Sequence, residues 1–534
     1  MNRRSPRCLF LSLLPILLVS FLLPGPARVL AADSLAVRLQ GAVLFKLDCP
    51  VAYRSGSLAR IDTNNLAVKP LSVNGRTLLP VRFLAESIGA DVDWDIPTST
   101  ATIISGATVV RVTLNAATMD VGGTPVPLDV PAQNVGGRIL VPMRPICEAL
   151  GRQVDWHTGG LIVVSGQKNL LDPVADKALI SQAFALFAEP VAYRKATIAT
   201  ASGSKTVHVV TVRPGDPRVR FEVGLPDTML NHTADFAALA KAKGAQVAIN
   251  ANFFSAYTDI KDPIGHVMID GELVYGQSGL TGIGITRDKR IFFSVPGIFT
   301  RLVADGIHKN TMIAGGQIDY SVWDAYEVNT RSQSVTNAIV YTPRRGASIA
   351  MTAAGHVVTV QAGKITALTA VSPGMTLSIP TDGFLVFYGT SVTKNWVGDW
   401  DMDIGRAAAL EHYLFKNTNP DFKLEEMQWM ISGGPDLVMD GAAAPVSTSP
   451  TFSDARFTTN AAPRTAAGLL PDGQLVLVTT AGAKISDMKE IMLALGCRQA
   501  INLDGGGSCG MYVNGATLMT PGRKLTTMFY VYDR

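Results

Sequence analysis

Along most of this chain apolar and polar residues alternate with a period of two over short runs, and glycine, proline and asparagine break the runs. Val207-His208-Val209-Val210-Thr211-Val212 alternates in this way and predicts a strand. Residues 245–254 run apolar through Asn250 and Asn252, a buried strand that ends in two amides. Residues 264–273 place Asp270-Gly271 between apolar runs, the pattern of a hairpin. Gly282 to Ile285 and Asn337 to Tyr341 predict further strands, Ala314-Gly315-Gly316 a turn, and residues 346–390 a series of short alternating strands. A hairpin is expected over 465–479 about Pro471-Asp472-Gly473, and a last one turning at Asn514-Gly515. Helical spacing occurs at 174–187, 233–243 and 486–495. The third helix takes Ser486 as N-cap and Gly496 as its stop. Residues 395–430 carry much charge and read as an insertion containing a helix.

A repeat with an offset of 62 residues organises the first part of the chain. Arg76, Pro80, Arg82, Glu86 and Trp94 recur as Arg138, Pro142, Arg144, Glu148 and Trp156. Each copy reads as a strand, a helix opened by proline and closed by glycine, then a hairpin. Arg82 with Glu86 and Arg144 with Glu148 have the spacing of i,i+4 ion pairs. The repeat contains no nucleophile and no metal-ligating cluster. Residues 167–203 form a connector, and a change of character near Ser204 opens a second domain running to Arg534. The expected fold class is α+β: a small two-repeat domain over 33–166, then a larger mixed α/β domain with a central β-sheet.

Composition refines this picture. Forty-nine glycines and 30 prolines fit a turn-rich, β-rich chain. Arg3, Arg4 and Arg7 precede an apolar run from Cys8 to Leu23, and Ala27, Ala31 and Ala32 follow. This predicts a secretory signal peptide over 1–32 and a secreted or cell-surface protein of the bacterial envelope, without a later transmembrane span. That segment holds four arginines and no acid, so the formal +4 becomes 0 without it. A neutral chain has no electrostatic footprint for nucleic acid. Cys49, Cys147, Cys497 and Cys509 would remain in a disulfide-permissive setting, and a Cys497–Cys509 bridge would brace the segment between them. The sequence also leaves open a Cys49–Cys147 pairing and unpaired buried thiols. No Cys/His spacing reads as a zinc site.

The candidate chemistry lies between Ser432 and Ser508. Gln499 to Leu503 predicts a buried strand, and Asp504-Gly505-Gly506-Gly507-Ser508 follows it. Such a loop brings its N–H groups close to a ligand and can cradle an anion. Arg464 could grip a phosphate at two points. The plainer reading is a tight turn with a capping aspartate.

Two resemblances follow from these residues. The repeat, over about 36–166, resembles the copper amine oxidase N-terminal-like (stalk) domain, a non-catalytic appendage in exported bacterial proteins; no copper ligands are present. Asn250-Ala251-Asn252-Phe253-Phe254, Ser432 to Gly441, Pro463-Arg464-Thr465-Ala466 and the glycine loop stand in the order seen in the phosphodiester glycosidase family, over about 204–534. Asn250-Ala251-Asn252 departs from the commoner Asn-Gly-Gly or Asn-Gly-Ser, and Pro521 to Lys524 matches the family's end loosely. The resemblance implies a hydrolase acting on a sugar-1-phosphodiester in a cell-wall or extracellular polysaccharide. Asp504 would face the anomeric carbon, and Arg464 with the Gly505, Gly506 and Gly507 amides would hold the phosphate. Asn250, Asn252 and Asp436 would position hydroxyls, and Gly434, Thr465, Ser508 and His266 would line the pocket. His266 could donate a proton, and, alone in a hairpin, it also has a structural reading. No cofactor is required and no residue is assigned to a metal, although a carboxylate-lined site could accept Ca²⁺ or Mg²⁺. The competing classes are a polysaccharide-binding module and an envelope scaffold.

Overall fold

The computed structural model describes residues 35–304, 311–312, 318–319, 324–393, 404–447 and 450–533. The expected leader and the Ala314-Gly315-Gly316 turn lie outside them. The chain divides into two compact units, Met1–Ala188 and Glu189–Arg534.

In the first unit each repeat copy supplies seven strands and a short helix. The first copy comprises β1 (Val43–Lys46), β2 (Val51–Arg54), β3 (Ser57–Arg60), β4 (Leu71–Val73), β5 (Arg76–Pro80), α1 (Val81–Ser87), β6 (Asp91–Asp95) and β7 (Thr100–Ser105). The second comprises β8 (Thr108–Thr113), β9 (Thr118–Val121), β10 (Thr124–Pro127), β11 (Gln133–Val135), β12 (Arg138–Pro142), α2 (Met143–Ala149), β13 (Gln153–His157) and β14 (Leu161–Ser165). At the centre β5 pairs antiparallel with β12, with Leu79 opposite Val141 and Leu78 opposite Pro142. Exchanging every residue with the one 62 positions away maps this register onto itself. The copies are therefore related by a local two-fold axis through the Leu79–Val141 pair.

The same symmetry explains the outer sheets, ordered β13-β14-β1-β2-β3 and β6-β7-β8-β9-β10. Each copy's closing hairpin completes a sheet begun by the other copy. The β2–β3 and β9–β10 hairpins are offset by 67, not 62, because the link to the next strand is five residues shorter in the second copy. This drift hides the upstream half of the repeat from a search at one offset. It also aligns Asp62 with Asp129. Asp62 pairs with Arg138, and Asp129 with Arg76 at 2.6 Å, so each copy's hairpin is tied to the other's central strand. The i,i+4 pairs expected on α1 and α2 do not form. Arg82, Glu86, Arg144 and Glu148 are exposed and make no ion pair among the described residues. In water such a pair is worth only about 0.3–0.5 kcal/mol, too little to hold two long side chains together.

A further helix, α3 (Lys177–Leu186), lies in the first unit, and strand Val191–Ile198 belongs to the second, where it pairs with Lys205–Val212. The expected connector is thus divided between the units.

The second unit is predominantly β. In place of one central sheet it has several. A seven-stranded antiparallel sheet runs in the order Val191–Ile198, Lys205–Val212, Leu475–Ala483, Ala462–Leu469, Gln499–Asn502, Asp436–Met439, Ala442–Ala443. A five-stranded antiparallel sheet runs Arg220–Gly224, Met528–Tyr532, Val247–Asn250, Met511–Val513, Ala516–Met519. Their inner faces share one core: Ala467, Leu477 and Ile501 from the first meet Val247, Ile249, Met511 and Phe529 from the second. Helix Ile485–Ala494 covers the outer face of the seven-stranded sheet through Met488, Ile491 and Met492, and helix Phe236–Ala242 packs on the five-stranded one through Phe236 and Ala240. The first of these helices starts earlier than expected, because Asp487 accepts from the Lys484 N–H and sets the cap there. Within 395–430 the described segment Ala408–Lys416 is a strand, not a helix. It pairs antiparallel along the whole of Gly297–Ala304.

All four described cysteines are free and buried. The expected Cys497–Cys509 bridge is excluded by the sheet itself. Cys497 packs among Met492 and Ala466 on the helix side. The Cys509 Sγ donates to the Arg464 carbonyl at 3.3 Å and meets the Thr465 hydroxyl at 3.3 Å. Thr465 faces opposite to Ala466 on one strand, because successive strand residues point to opposite faces. The two thiols therefore lie on opposite sides of the seven-stranded sheet. Burial pushes Cys147 and Cys497 up to about 12 and Cys509 to about 11, so none is an activated thiolate. Alkylation followed by intact mass should modify none of these four in the folded, unreduced protein and all four after unfolding without reductant. A cysteine that stays protected in denaturant would show a bridge.

Candidate active site

The chain crosses from the seven-stranded to the five-stranded sheet between Asn502 and Met511, and the glycine loop is that crossing. Asn250, the last residue of its strand and 1% exposed, holds the crossing in place. Its Nδ2 donates to the Asp504 carbonyl, and its Oδ1 accepts from the Thr465 hydroxyl at 2.6 Å and the Gly510 N–H at 2.9 Å. Both ends of the amide are committed to the protein, so Asn250 shapes the site and does not offer its amide to a substrate. Thr465 is spent in the same way.

Asp504 is partly exposed at the start of the loop. Its backbone N–H donates to the Ala251 carbonyl at 3.1 Å, and its carboxylate accepts from the Gly505 N–H at 2.9 Å. Burial pushes its pKa up to about 7, against the opposing pull of the Ser508 hydroxyl, the Gly505 N–H and Arg523. Gly505 and Gly506 lead into one turn of 3-10 helix over Gly506–Ser508, with Gly506 at φ +57. A Cβ on Gly507 would lie 2.7 Å from Arg523 Nη2 and 2.9 Å from its Nε, so only glycine lets that guanidinium lie against the loop. Arg523 is fixed there by the Gly522 N–H, which donates to the Gly507 carbonyl at 2.8 Å, and by Tyr257, whose hydroxyl it reaches at 3.0 Å and whose ring it overlies at 5.0 Å.

Arg464 has a different place from the one expected. It is 3% exposed, its Nε donates to the Ala483 carbonyl at 3.0 Å, and its Nη2 donates to the carbonyls of Arg456 and Asn460 at 2.6 and 2.9 Å. The edge that would grip a phosphate at two points is occupied by backbone. Its side chain runs beneath Gly505, with Cδ 3.7 Å from where a Cβ there would stand. It supplies a buried positive charge under the loop, and Arg523 is the cation on its open side. The Pro521-Gly522-Arg523-Lys524 segment was the available signal, and its loose match to the family pattern concealed it.

A second wall of the site is continuous with the first. Asn252 donates to the carbonyls of Ile264 and His266 at 3.0 and 3.1 Å, while its Oδ1 is buried without a partner among the described residues. His266 Nε2 lies 3.2 Å from the Pro296 carbonyl. A carbonyl can only accept, so the proton sits on Nε2 and the buried Nδ1 is an unpartnered acceptor. Burial takes the His266 pKa down to about 4, so it is neutral and its placement is that of a wall residue. The Ser432 hydroxyl bonds both the N–H and the carbonyl of His266, at 2.9 and 3.1 Å. Gly434 donates to the Asn502 carbonyl at 2.6 Å and accepts from the Asn502 Nδ2 at 3.0 Å, and a Cβ on Gly434 would strike Phe452. Asn502, to which the sequence pattern assigns no role, also keeps a buried Oδ1 without a partner among the described residues. Phe253, Phe452 and Phe457 pack together with ring centroids 5.3–6.2 Å apart beside these walls. Asp436 is set off along its strand; Thr281 donates to it at 2.8 Å and burial raises its pKa. Among the described residues no three His, Cys, Asp or Glu side chains gather as a metal site would require.

The glycine loop, Arg464 and Arg523 all lie in a segment with known relatives. Residues 345–532 match the phosphodiester glycosidase family model. Asn250, Asn252 and His266 fall before that phosphodiester glycosidase segment. Residues 60–164 match the copper amine oxidase N-terminal domain model. No curated protein matches the chain. A crystal structure of a hypothetical protein from Synechocystis shares the fold, with a TM-score of 0.54 at 17% identity over 92% of this chain and 98% of that one. A putative exported protein from Burkholderia pseudomallei aligns at 17% identity over 83% of this chain and 96% of its own, with a TM-score of 0.48. The zebrafish N-acetylglucosamine-1-phosphodiester alpha-N-acetylglucosaminidase catalytic domain, auto-inhibited by its pro-peptide, aligns at 17% identity over 64% of this chain and 83% of its own, with a TM-score of 0.35. No helix among the described residues is long and apolar enough to cross a membrane.

Two substitutions separate support from contact. Asn250→Ala leaves the Gly510 N–H and the Thr465 hydroxyl without their acceptor, so a denaturant melt should show a loss of about 2–4 kcal/mol. Gly507→Ala meets only the end of the flexible Arg523 side chain, so it should fold with near-native stability while displacing Arg523. A melt in which Gly507→Ala loses as much stability as Asn250→Ala would refute this division of roles.

Proposed function

We propose that the second unit hydrolyses a sugar-1-phosphodiester, cleaving the bond between the anomeric carbon and the phosphate oxygen. One observation carries the reading. A partly buried carboxylate with a pKa near 7 stands at the head of a loop whose open side carries Arg523, inside the segment matching the phosphodiester glycosidases. The phosphate seats against Arg523 and the Gly506 and Gly507 N–H groups, over the buried charge of Arg464; the Gly505 N–H is taken by the Asp504 carboxylate. The leaving phosphate oxygen has a conjugate acid with a pKa of about 6, so it departs without a proton donor. The proton to be managed belongs to the attacking water. Ionised Asp504 takes that proton as water oxygen bonds to the anomeric carbon and the carbon–oxygen bond to phosphate breaks. The products are a free sugar and a phosphomonoester. The three phenylalanines suit the apolar face of a sugar ring.

The proposed substrate is an N-acetylglucosamine-1-phosphodiester-like linkage in an envelope or extracellular polysaccharide, met after export. The competing reading, a module that binds sugar without cleaving it, is separated from this one by turnover alone. An aryl sugar-1-phosphodiester, assayed with and without chelator, also decides whether a divalent cation takes part.

Asp504→Asn should lower kcat by a hundredfold or more, about 3 kcal/mol of transition-state stabilisation. Arg523→Gln should act mainly through KM, because that cation holds phosphate before reaction. Arg464→Lys should cost stability first, since its carbonyl contacts are structural. The active form of Asp504 is the ionised one, so kcat/KM should fall as pH drops through about 7. Stability should run the other way: a folded pKa above the unfolded 3.8 means the folded state binds this proton more tightly, and its stabilising effect is lost as pH rises through about 7. Wild-type turnover by Asp504→Asn, or a pH profile flat from 5 to 8, would sink the assignment.

A further inference from the structure

The first unit contains a cavity of about 580 Å³, within the ~300–1,000 Å³ of small-molecule sites. Arg54, Arg60, Arg82 and Arg138 line it with two carboxylates, Asp62 and Glu86, and with the aromatic rings of Phe83 and Trp94. Asp62 is already neutralised by Arg138, which is the ion pair the two-fold symmetry repeats as Asp129 with Arg76. The Arg54 guanidinium lies 4.7 Å over the buried Phe83 ring and reaches the Ser87 hydroxyl at 3.3 Å. Arg82 is exposed and makes no hydrogen bond or ion pair among the described residues.

The symmetry of the repeat separates what the fold needs from what it does not. Arg82, Glu86 and Trp94 recur in the second copy as Arg144, Glu148 and Trp156. Arg54 and Arg60, on the β2–β3 hairpin, correspond through the offset of 67 to Val121 and Pro127, and Phe83 corresponds to Pro145. The same backbone is thus built with an apolar residue and a proline at the two positions where the cavity carries extra cations. The fold is built without these cations in the second copy, and four guanidiniums against two carboxylates leave the cavity wall of the first copy positive.

We infer that this cavity binds a saccharide bearing an oxyanion, carboxylate or phosphate, with Trp94 under the sugar ring and Arg54, Arg60 and Arg82 on the charge. Guanidinium donors match the planar oxygens of either anion, and an indole face suits a sugar ring. The inference does not depend on the activity of the second unit.

Calorimetric titration of the full chain carrying Asp504→Asn tests it, with trigalacturonate, glucose 1-phosphate, maltotriose, inorganic phosphate and a single-stranded oligothymidylate as probes. Trigalacturonate or glucose 1-phosphate should bind, and which of them binds tells carboxylate from phosphate. The double variant Arg60→Gln with Arg82→Gln should weaken that binding tenfold or more, as should Arg54→Val, the residue at the symmetry-related position. Arg144→Gln in the second copy should leave it unchanged. The inference is overturned if neither charged sugar binds, or if the first-copy variants bind as the parent does. It is also overturned if Arg144→Gln loses as much, or if maltotriose, inorganic phosphate or the oligonucleotide binds as tightly.

Discussion

The second unit depends on one side-chain amide. Asn250 ends a strand of one sheet, accepts from a threonine of the facing sheet, and holds both ends of the loop that joins them. Two stacked antiparallel sheets gain most of their stability from the apolar core between them, and that core has no direction along the surface. Directional hydrogen bonds from a buried amide supply what the core lacks: a fixed position for the crossing chain. Asp504 stands where it does because its own carbonyl is one of the groups Asn250 holds.

The electrostatics follow from that placement. Burial at the crossing disfavours the charged form of Asp504 and raises its pKa to about 7. A buried guanidinium beneath the loop and a half-buried one beside it favour anions there, yet neither forms a salt bridge with Asp504 that would pin it in the ionised state. Arg464 is satisfied by three carbonyls and Arg523 by a tyrosine. The carboxylate is left free to exchange a proton, which is the property a general base requires.

The first unit rests on a different constraint, the self-pairing of two central strands about a two-fold axis. That axis dictates which hairpin closes which sheet and which aspartate meets which arginine. Residues that obey the symmetry are accounted for by the fold. Those that break it, Arg54, Arg60 and Phe83, mark one side of the domain as different from the other.

The strands and turns were legible in the sequence because period-two alternation and Asp-Gly or Asn-Gly breaks are local signals, and both the 465–479 hairpin and the Asp270-Gly271 turn formed as the pattern indicates. The 62-residue repeat was legible for the same reason, down to its proline-opened helices. The helix expected within 395–430 is not what Ala408–Lys416 forms, because that stretch pairs with Gly297–Ala304, a partner distant in sequence that no local pattern reveals. The glycine loop and Asp504 could be chosen from residue type and order. What residue type could not show is which polar atoms remain free. Asn250 and Asn252 look alike in the sequence, but one is saturated by partners 215–260 positions away and the other keeps a bare acceptor. Arg464 stands in the sharper motif and Arg523 in the looser one, yet backbone carbonyls claim the first and the loop exposes the second. Cys497 and Cys509 are close in sequence and separated by a sheet. A side chain's chemistry belongs to the sequence, but its hydrogen-bonding capacity is divided among neighbours that only the tertiary structure brings into contact.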